Sequence, residues 1–203
     1  MQENRDPLLS PVPLNSLRPT QITVGMREVL EKRGHWDALG DEKRAFLGAH
    51  MIPVVMGPKN RPYVIDHHHL ARALLEEDQP TVLIQPIAHL QNLPQEHFWR
   101  FLDNKGWLHP FDEHGRRQPY SEIPKRLGHL KDDPFRSLAG AVRNEGGYAK
   151  ETTPFMEFIW ADYFRSRIRR SDIQKHWKKT LEKALELARD HEAHFMPGWC
   201  GAS

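Results

Sequence analysis

The run Tyr63-Val64-Ile65 gives way at Asp66-His67-His68-His69 to Leu70-Ala71-Arg72-Ala73-Leu74-Leu75. β-Branched and aromatic residues favour a strand, and Leu and Ala favour a helix, so the polar cluster sits where a strand hands over to a helix. An all-helical or all-β chain has no place for such a junction, which makes a mixed fold the expectation. The first turn of a helix leaves backbone N–H groups unpaired at the positive end of the helix dipole, and phosphate suits that position best. Imidazoles add directional donors that change protonation near neutral pH. A plainer reading takes Asp66 as an N-cap and the histidines as partly exposed polar residues. A structural metal fits poorly, because three consecutive side chains point in different directions around a helix and do not converge on one ion.

The residues before and after this junction extend the pattern. Residues 11–18 read as a short strand and turn ending at Arg18-Pro19. Residues 24–33 read as an amphipathic helix closed by Gly34, and residues 37–47 as a second helix. The apolar run 51–56 is a buried-type strand, 57–62 is a turn by composition, and 63–66 pairs back as a hairpin. A helix over 67–77 and a strand over 81–88 complete an order of β, α, α, β, β, α, β, a small mixed sheet. From Pro94 helices dominate, over 95–104, 134–144, 154–170 and 171–194. The last opens with Ser171 and Gln174 in capping-box spacing and carries the stripe Ile173, Trp177, Leu181, Ala184, Leu185 and Ala188, a packing face. These signals predict an α+β fold with an α/β unit over 1–93 and a helical C-terminal unit over 94–203 packed on it. The stretch 108–131 is a long connection in which Asp112, Glu113, His114, Arg116 and Arg117 either line a site or are simply solvated.

Composition narrows the function classes. Lys plus Arg number 29 and Asp plus Glu 27, a net charge of +2, so affinity for a polyanion has to come from a local patch. Such a patch lies between Arg165 and Lys183, and it reads either as a DNA contact or as a solvated face interrupted by Glu182 and Glu186. The single cysteine, Cys200, closes no intrachain disulfide and matches no metal motif. With no apolar leader in residues 1–11 and no segment long enough to span a bilayer, a cytoplasmic protein without membrane contact is the expectation.

Residues 12–21, 52–55 and 63–71 resemble the ParB and sulfiredoxin superfamily, and more closely the family named putative ParB-like nucleases. The closer resemblance extends to 133–143, 146–150 and 154–162 and so takes in most of the chain. It implies a ParB/sulfiredoxin-like fold that holds nucleotide phosphates at the strand-to-helix junction, there usually written Asp-Gly-His-His-Arg or Gly-Cys-His-Arg. This chain lacks the glycine, and His69 or Leu70, depending on register, stands where the arginine is usual. Arg72, one turn on, is positioned to supply that charge. Sulfinic acid reduction needs a thiolate where His67 stands, so sulfiredoxin activity is excluded.

The resemblance implies a phosphate-handling enzyme: a nuclease-type hydrolase or a nucleotide-dependent phosphoryl-transfer enzyme. A small-molecule kinase acting on a substrate such as an amino acid, and a non-catalytic nucleotide or DNA binder, are the alternatives. The implied phosphate or nucleotide ligands are His67, His68, His69, Arg72, Thr20 and Gln21, with Arg136 and Arg143 as second contributors. Asp66, His68 and Glu28 are the catalytic candidates, and Asp66 is also the candidate ligand for magnesium accompanying a nucleotide such as ATP or ADP. No helix-turn-helix domain or dimerising tail is assigned, and the oligomeric state stays open.

Overall fold

The computed structural model describes residues 11–201. Residues 1–10, most of the stretch read as lacking a leader, and 202–203 lie outside the described residues. The chain enters through β1 (Val12–Pro13), a single 3-10 turn at Leu14–Ser16, β2 (Arg18–Pro19) and β3 (Thr23–Val24). The expected strand over 11–18 is therefore broken, because Leu14 and Leu17 both turn into the core and Ser16 Oγ donates to Pro13 O at 2.6 Å.

Helix α1 (Met26–Ala38) runs through Gly34 instead of stopping there. Val29 and Trp36, two turns apart on one face, are both buried, and that packing carries the helix past an exposed glycine. Then come α2 (Lys43–Ala49), β4 (Ile52–Gly57) and β5 (Arg61–Val64). The two strands form the expected hairpin, with Val54 opposite Val64 and Gly57 opposite Arg61.

Helix α3 (His68–Glu76) follows the junction. The strand expected over 81–88 is two strands, β6 (Thr81–Val82) against β1 and β7 (Ile84–His89) parallel to β4. The main sheet has the order β2-β5-β4-β7, with β2 parallel to β5. Helix α4 (Gln95–Asn104) has the bounds read from the sequence.

After the long connection, β8 (Lys131–Asp132) pairs in parallel with β3 and leads into α5 (Pro134–Asn144). Asp133 caps α5 by accepting from Phe135 N at 3.0 Å, and Pro134 occupies the first helical position, where a missing N–H costs nothing. Helices α6 (Met156–Arg165), α7 (Arg170–Lys175) and α8 (Trp177–Arg189) finish the chain. The single helix expected over 171–194 breaks at His176, whose φ of −136° and ψ of 47° are not helical. The Ser171 capping box does not form, since the cap position falls on Arg169. The break lets Ile173 on α7 and Thr180, Ala184 and Ala188 on α8 reach one core together.

Three apolar clusters result. One joins the sheet to α1 and α3, one joins α5, α6, α7 and α8, and one packs α4 and the connection onto the sheet through Val55, Tyr63, Phe98 and Leu102. Packing therefore does not divide at 93/94: α4 rests on the sheet, and the helical layer proper begins at α5. No helix among the described residues is long and apolar enough to cross a membrane.

Trp160 is fully buried at the centre of the helical layer, and its Nε1 donates to Pro197 O at 2.9 Å. Trp160→Ala is expected to cost about 3–5 kcal/mol, whereas Ile159→Ala, at a 39% exposed neighbour, costs about 1 kcal/mol or less. Urea midpoints of the two variants check the contrast.

Candidate active site

The junction is tighter than an ordinary strand-to-helix turn. His67 takes the left-handed conformation, φ 63° and ψ 25°, at the N-cap of α3, a backbone state that costs an L-residue about 1–2 kcal/mol. This is the place a glycine would fill without strain. The register of the motif follows: His67 stands in the glycine's place, His68 and His69 are the paired histidines, and Leu70 replaces the arginine.

Both paired histidines are buried, at 4% and 7% exposure, and both are fastened to the segment that links β2 to α1. Thr20 N donates to His68 Nε2 at 3.2 Å, and Gly25 N donates to His69 Nε2 at 3.0 Å. A nitrogen that accepts from a backbone N–H carries no proton, so each neutral ring bears its proton on Nδ1. Burial pushes His68 down to about pH 3. It also pushes His69 well below the usual imidazole range, with Arg136 adding to the effect. His68 is thus a neutral positioning group and not a base at Nε2. Thr20 is held further by its hydroxyl, which donates to Val64 O at 2.7 Å, and by its carbonyl, which accepts from His109 N at 2.9 Å.

The same segment carries the site toward the helical layer. A Cβ on Gly25 would lie 2.8 Å from Ser137 N, so only glycine allows the start of α1 to meet α5 there. Met26 N donates to Asp132 Oδ1 at 3.0 Å, and Arg27 N donates to Ser137 Oγ at 3.3 Å, which caps α1 with groups from across the fold. On the facing sides of these helices, Arg136 Nη1 of α5 donates to Glu28 Oε2 of α1 at 3.1 Å. Gly140 keeps that pair in place, since a Cβ there would come within 3.1 Å of Arg136 Nη1. Glu28 Oε2 lies 3.7 Å from His69 Nε2, a contact that is no ion pair while His69 is neutral.

These groups line one open cleft of about 840 Å³ between the α/β unit and the helical layer. Of the residues the sequence singles out, Asp66, His67, His68, His69, Glu28, Gln21, Arg136 and Arg143 meet on its walls. Arg143 pairs there with Glu157 of α6. Ala71 is the first residue of α3 whose N–H bonds back, to His67 O at 2.8 Å, and no side chain caps the helix. The N–H groups of residues 68–70 therefore lack intrahelical partners. Two further polar atoms, His67 Nδ1 and Arg136 Nε, are buried without a hydrogen-bond partner.

Other expected ligands stand elsewhere. Thr20 lies behind the junction, fully buried and fully engaged. Gln21 reaches the cleft, but its Nε2 donates to Thr23 O at 2.7 Å. Arg72 points away: it donates to Leu127 O at 3.0 Å, to Leu130 O at 3.2 Å and to Glu76 at 2.7 Å, tying α3 to the long connection. The loop residues 112–117 do not line this cleft. Asp112 accepts from the N–H groups of His114 and Arg116, each at 2.9 Å, and so closes a turn. In the basic run after residue 165, Arg165 is committed to buried Asp133 at 2.8 Å, and Arg167 lies 3.7 Å over the Tyr163 ring.

Among the described residues no three His, Cys, Asp or Glu side chains come together as a metal site. Asp66 Oδ1 accepts from His67 N at 2.6 Å.

The structure adds groups that no local pattern in the sequence assembles. Lys32 on α1, Lys105 and Trp107 after α4, and Lys150, Phe155 and Phe158 from the start of the α6 region all line the cleft. His109 stacks 3.8 Å from Phe158 and 5.0 Å from Phe155 behind that wall, its imidazole pulled down to about 3 by burial and by Arg136 and Arg165. They come from three stretches far apart in the sequence, so only the fold gathers them.

A family model for putative ParB-like nucleases matches residues 10–166. The chain belongs to the putative ParB-like nuclease family. Among solved structures, it is similar to protein Atu1540 from Agrobacterium tumefaciens, whose crystal structure is 45% identical, with coverage of 97% of this chain and 100% of that one and a TM-score of 0.89. A search of curated proteins gives no match. In this family member the α+β architecture thus places the junction on the wall of a charged cleft.

The buried histidines make the fold acid-sensitive. His68 and His69 stay neutral in the folded chain, whereas unfolded imidazoles take up protons near pH 6.5. Their contribution is complete above that pH and is lost as the pH falls below about 6.5, down to about 3 for His68, at up to about 1.4 kcal/mol per pH unit for each ring. Urea unfolding from pH 7.5 to pH 5 should show this slope. His68→Gln, whose amide oxygen accepts from Thr20 without titrating, should lower the slope by one ring's share and leave that of His69 and of buried His109, and an unchanged slope would contradict the assignment.

Proposed function

We propose that the cleft binds phosphate groups of an anionic substrate and that the protein is a phosphoester- or phosphoanhydride-cleaving enzyme. The observation that carries this reading is the meeting, in one cleft, of the uncapped start of α3 with Arg136 and Arg143. Backbone N–H groups at a helix start bind phosphate oxygens, and a guanidinium matches their geometry. Family membership agrees with hydrolysis of a phosphodiester.

The residues divide the work. His68 and His69 hold the first turn of α3 in place and leave Nδ1–H as the one donor each ring can present. Arg136 and Arg143 are kept ordered by Glu28 and Glu157, which balance their charges, so an incoming phosphate draws on guanidinium N–H groups that the carboxylates leave unused. Glu28 and Glu157 are occupied in this way, so neither is a free base. Asp66, exposed at the mouth of the junction, is the carboxylate placed to orient a water or a hydroxyl nucleophile.

Inorganic pyrophosphate is expected to raise the thermal midpoint of the wild-type protein, and Arg143→Ala is expected to weaken that binding about tenfold. Asp66→Asn should keep the pyrophosphate shift and lose cleavage of a phosphodiester substrate, assayed with and without a divalent ion. No shift with pyrophosphate, or a shift indifferent to Arg143, overturns the site. Binding without turnover in the wild type leaves a non-catalytic binder instead.

A further inference from the structure

One stretch of the cleft's lining is aromatic and adjoins the charged groups. Trp107, from the turn after α4, and Pro154 and Phe155, from the segment entering α6, line it, with exposed Lys105 and Lys150 at the rim. The turn and the segment are in contact, since a Cβ on Gly106 would lie 3.0 Å from Pro154 Cβ. Phe155 holds a left-handed backbone, φ 56°, at the N-cap of α6, where a bulky residue is rarely found. Its ring is supported from behind by His109, 5.0 Å away. Strain of this kind persists where the surroundings fix it, and it concentrates at binding sites.

We propose that this wall is a base-stacking platform and that the cleft takes single-stranded nucleic acid. The inference rests on the phosphate reading given above and adds the class of substrate to it. Aromatic faces beside a track of cations are how proteins hold single strands without reading sequence. A base in a duplex is paired and stacked on its neighbours, so it cannot also lie against Trp107 and Phe155 unless it is extruded. The floor also disfavours a duplex, because Arg136, His68 and His69 are each more than nine-tenths buried and a rigid double helix cannot bring its phosphates down to them.

The test compares a fluorescent oligothymidylate, its duplex with oligodeoxyadenylate, and thymidine monophosphate by anisotropy and competition, with the pyrophosphate thermal shift as a separate readout. The single strand should bind at least about tenfold tighter than either the duplex or the mononucleotide. Phe155→Gly removes the ring and suits the left-handed backbone, so it separates loss of stacking from loss of fold, and Trp107→Leu keeps an apolar side chain. Each should weaken the strand about tenfold, a larger loss than either shows for pyrophosphate. Equal affinity for duplex or mononucleotide, or variants that bind the strand as the wild type does, overturns the proposal. A protein that shifts with pyrophosphate but ignores the strand loses this inference alone, and one that responds to neither loses the phosphate reading as well.

Discussion

Two main-chain N–H groups, those of Thr20 and Gly25, donate to two buried imidazoles, and the cleft depends on those bonds. They fix the first turn of α3 against the segment that becomes β3 and α1. That segment in turn pairs with β8, which delivers α5 and Arg136 to the facing wall. An imidazolium has no lone pair to accept with, so the arrangement requires neutral rings, and burial enforces that state. The histidines that look most catalytic in the sequence thereby give their reactive nitrogens to the architecture. What remains for a ligand is the helix start, the arginines and Asp66.

The cleft lies where the α/β unit meets the helical layer, so each wall is anchored in a different apolar core. Glu28 and Glu157 hold Arg136 and Arg143 in place, so a ligand does not bear the entropy of ordering long side chains. The same carboxylates keep the local field moderate, in line with a chain whose net charge is only +2. Binding strength then comes from directed donors in a sheltered space, not from a diffuse basic surface.

The hairpin, the junction and the bounds of α4 and α5 were legible in the sequence because their signals are local: β-branched runs, a polar break, and Pro134 and Asp133 at a helix start. Readings failed where tertiary packing overrode local preference. Trp36 draws α1 through Gly34, and the core positions Ile173 and Ala184 need a break at His176 that the unbroken apolar stripe conceals. Arg72 shows the same limit at the site, since its spacing from the junction suits a phosphate while the carbonyls of Leu127 and Leu130, far along the chain, claim it. Lys32, Trp107 and Phe155 were beyond reach for a related reason: no window of sequence contains them together.

The cleft's architecture stands or falls with the protonation of His68 and His69. Imidazole nitrogen-15 NMR, with the two rings assigned through His68→Gln and His69→Gln, reads both tautomer and titration. Both rings should show a bare Nε2 and a protonated Nδ1, with no change from pH 8 to pH 5. Either ring titrating near pH 6.5, or carrying its proton on Nε2, would contradict that architecture.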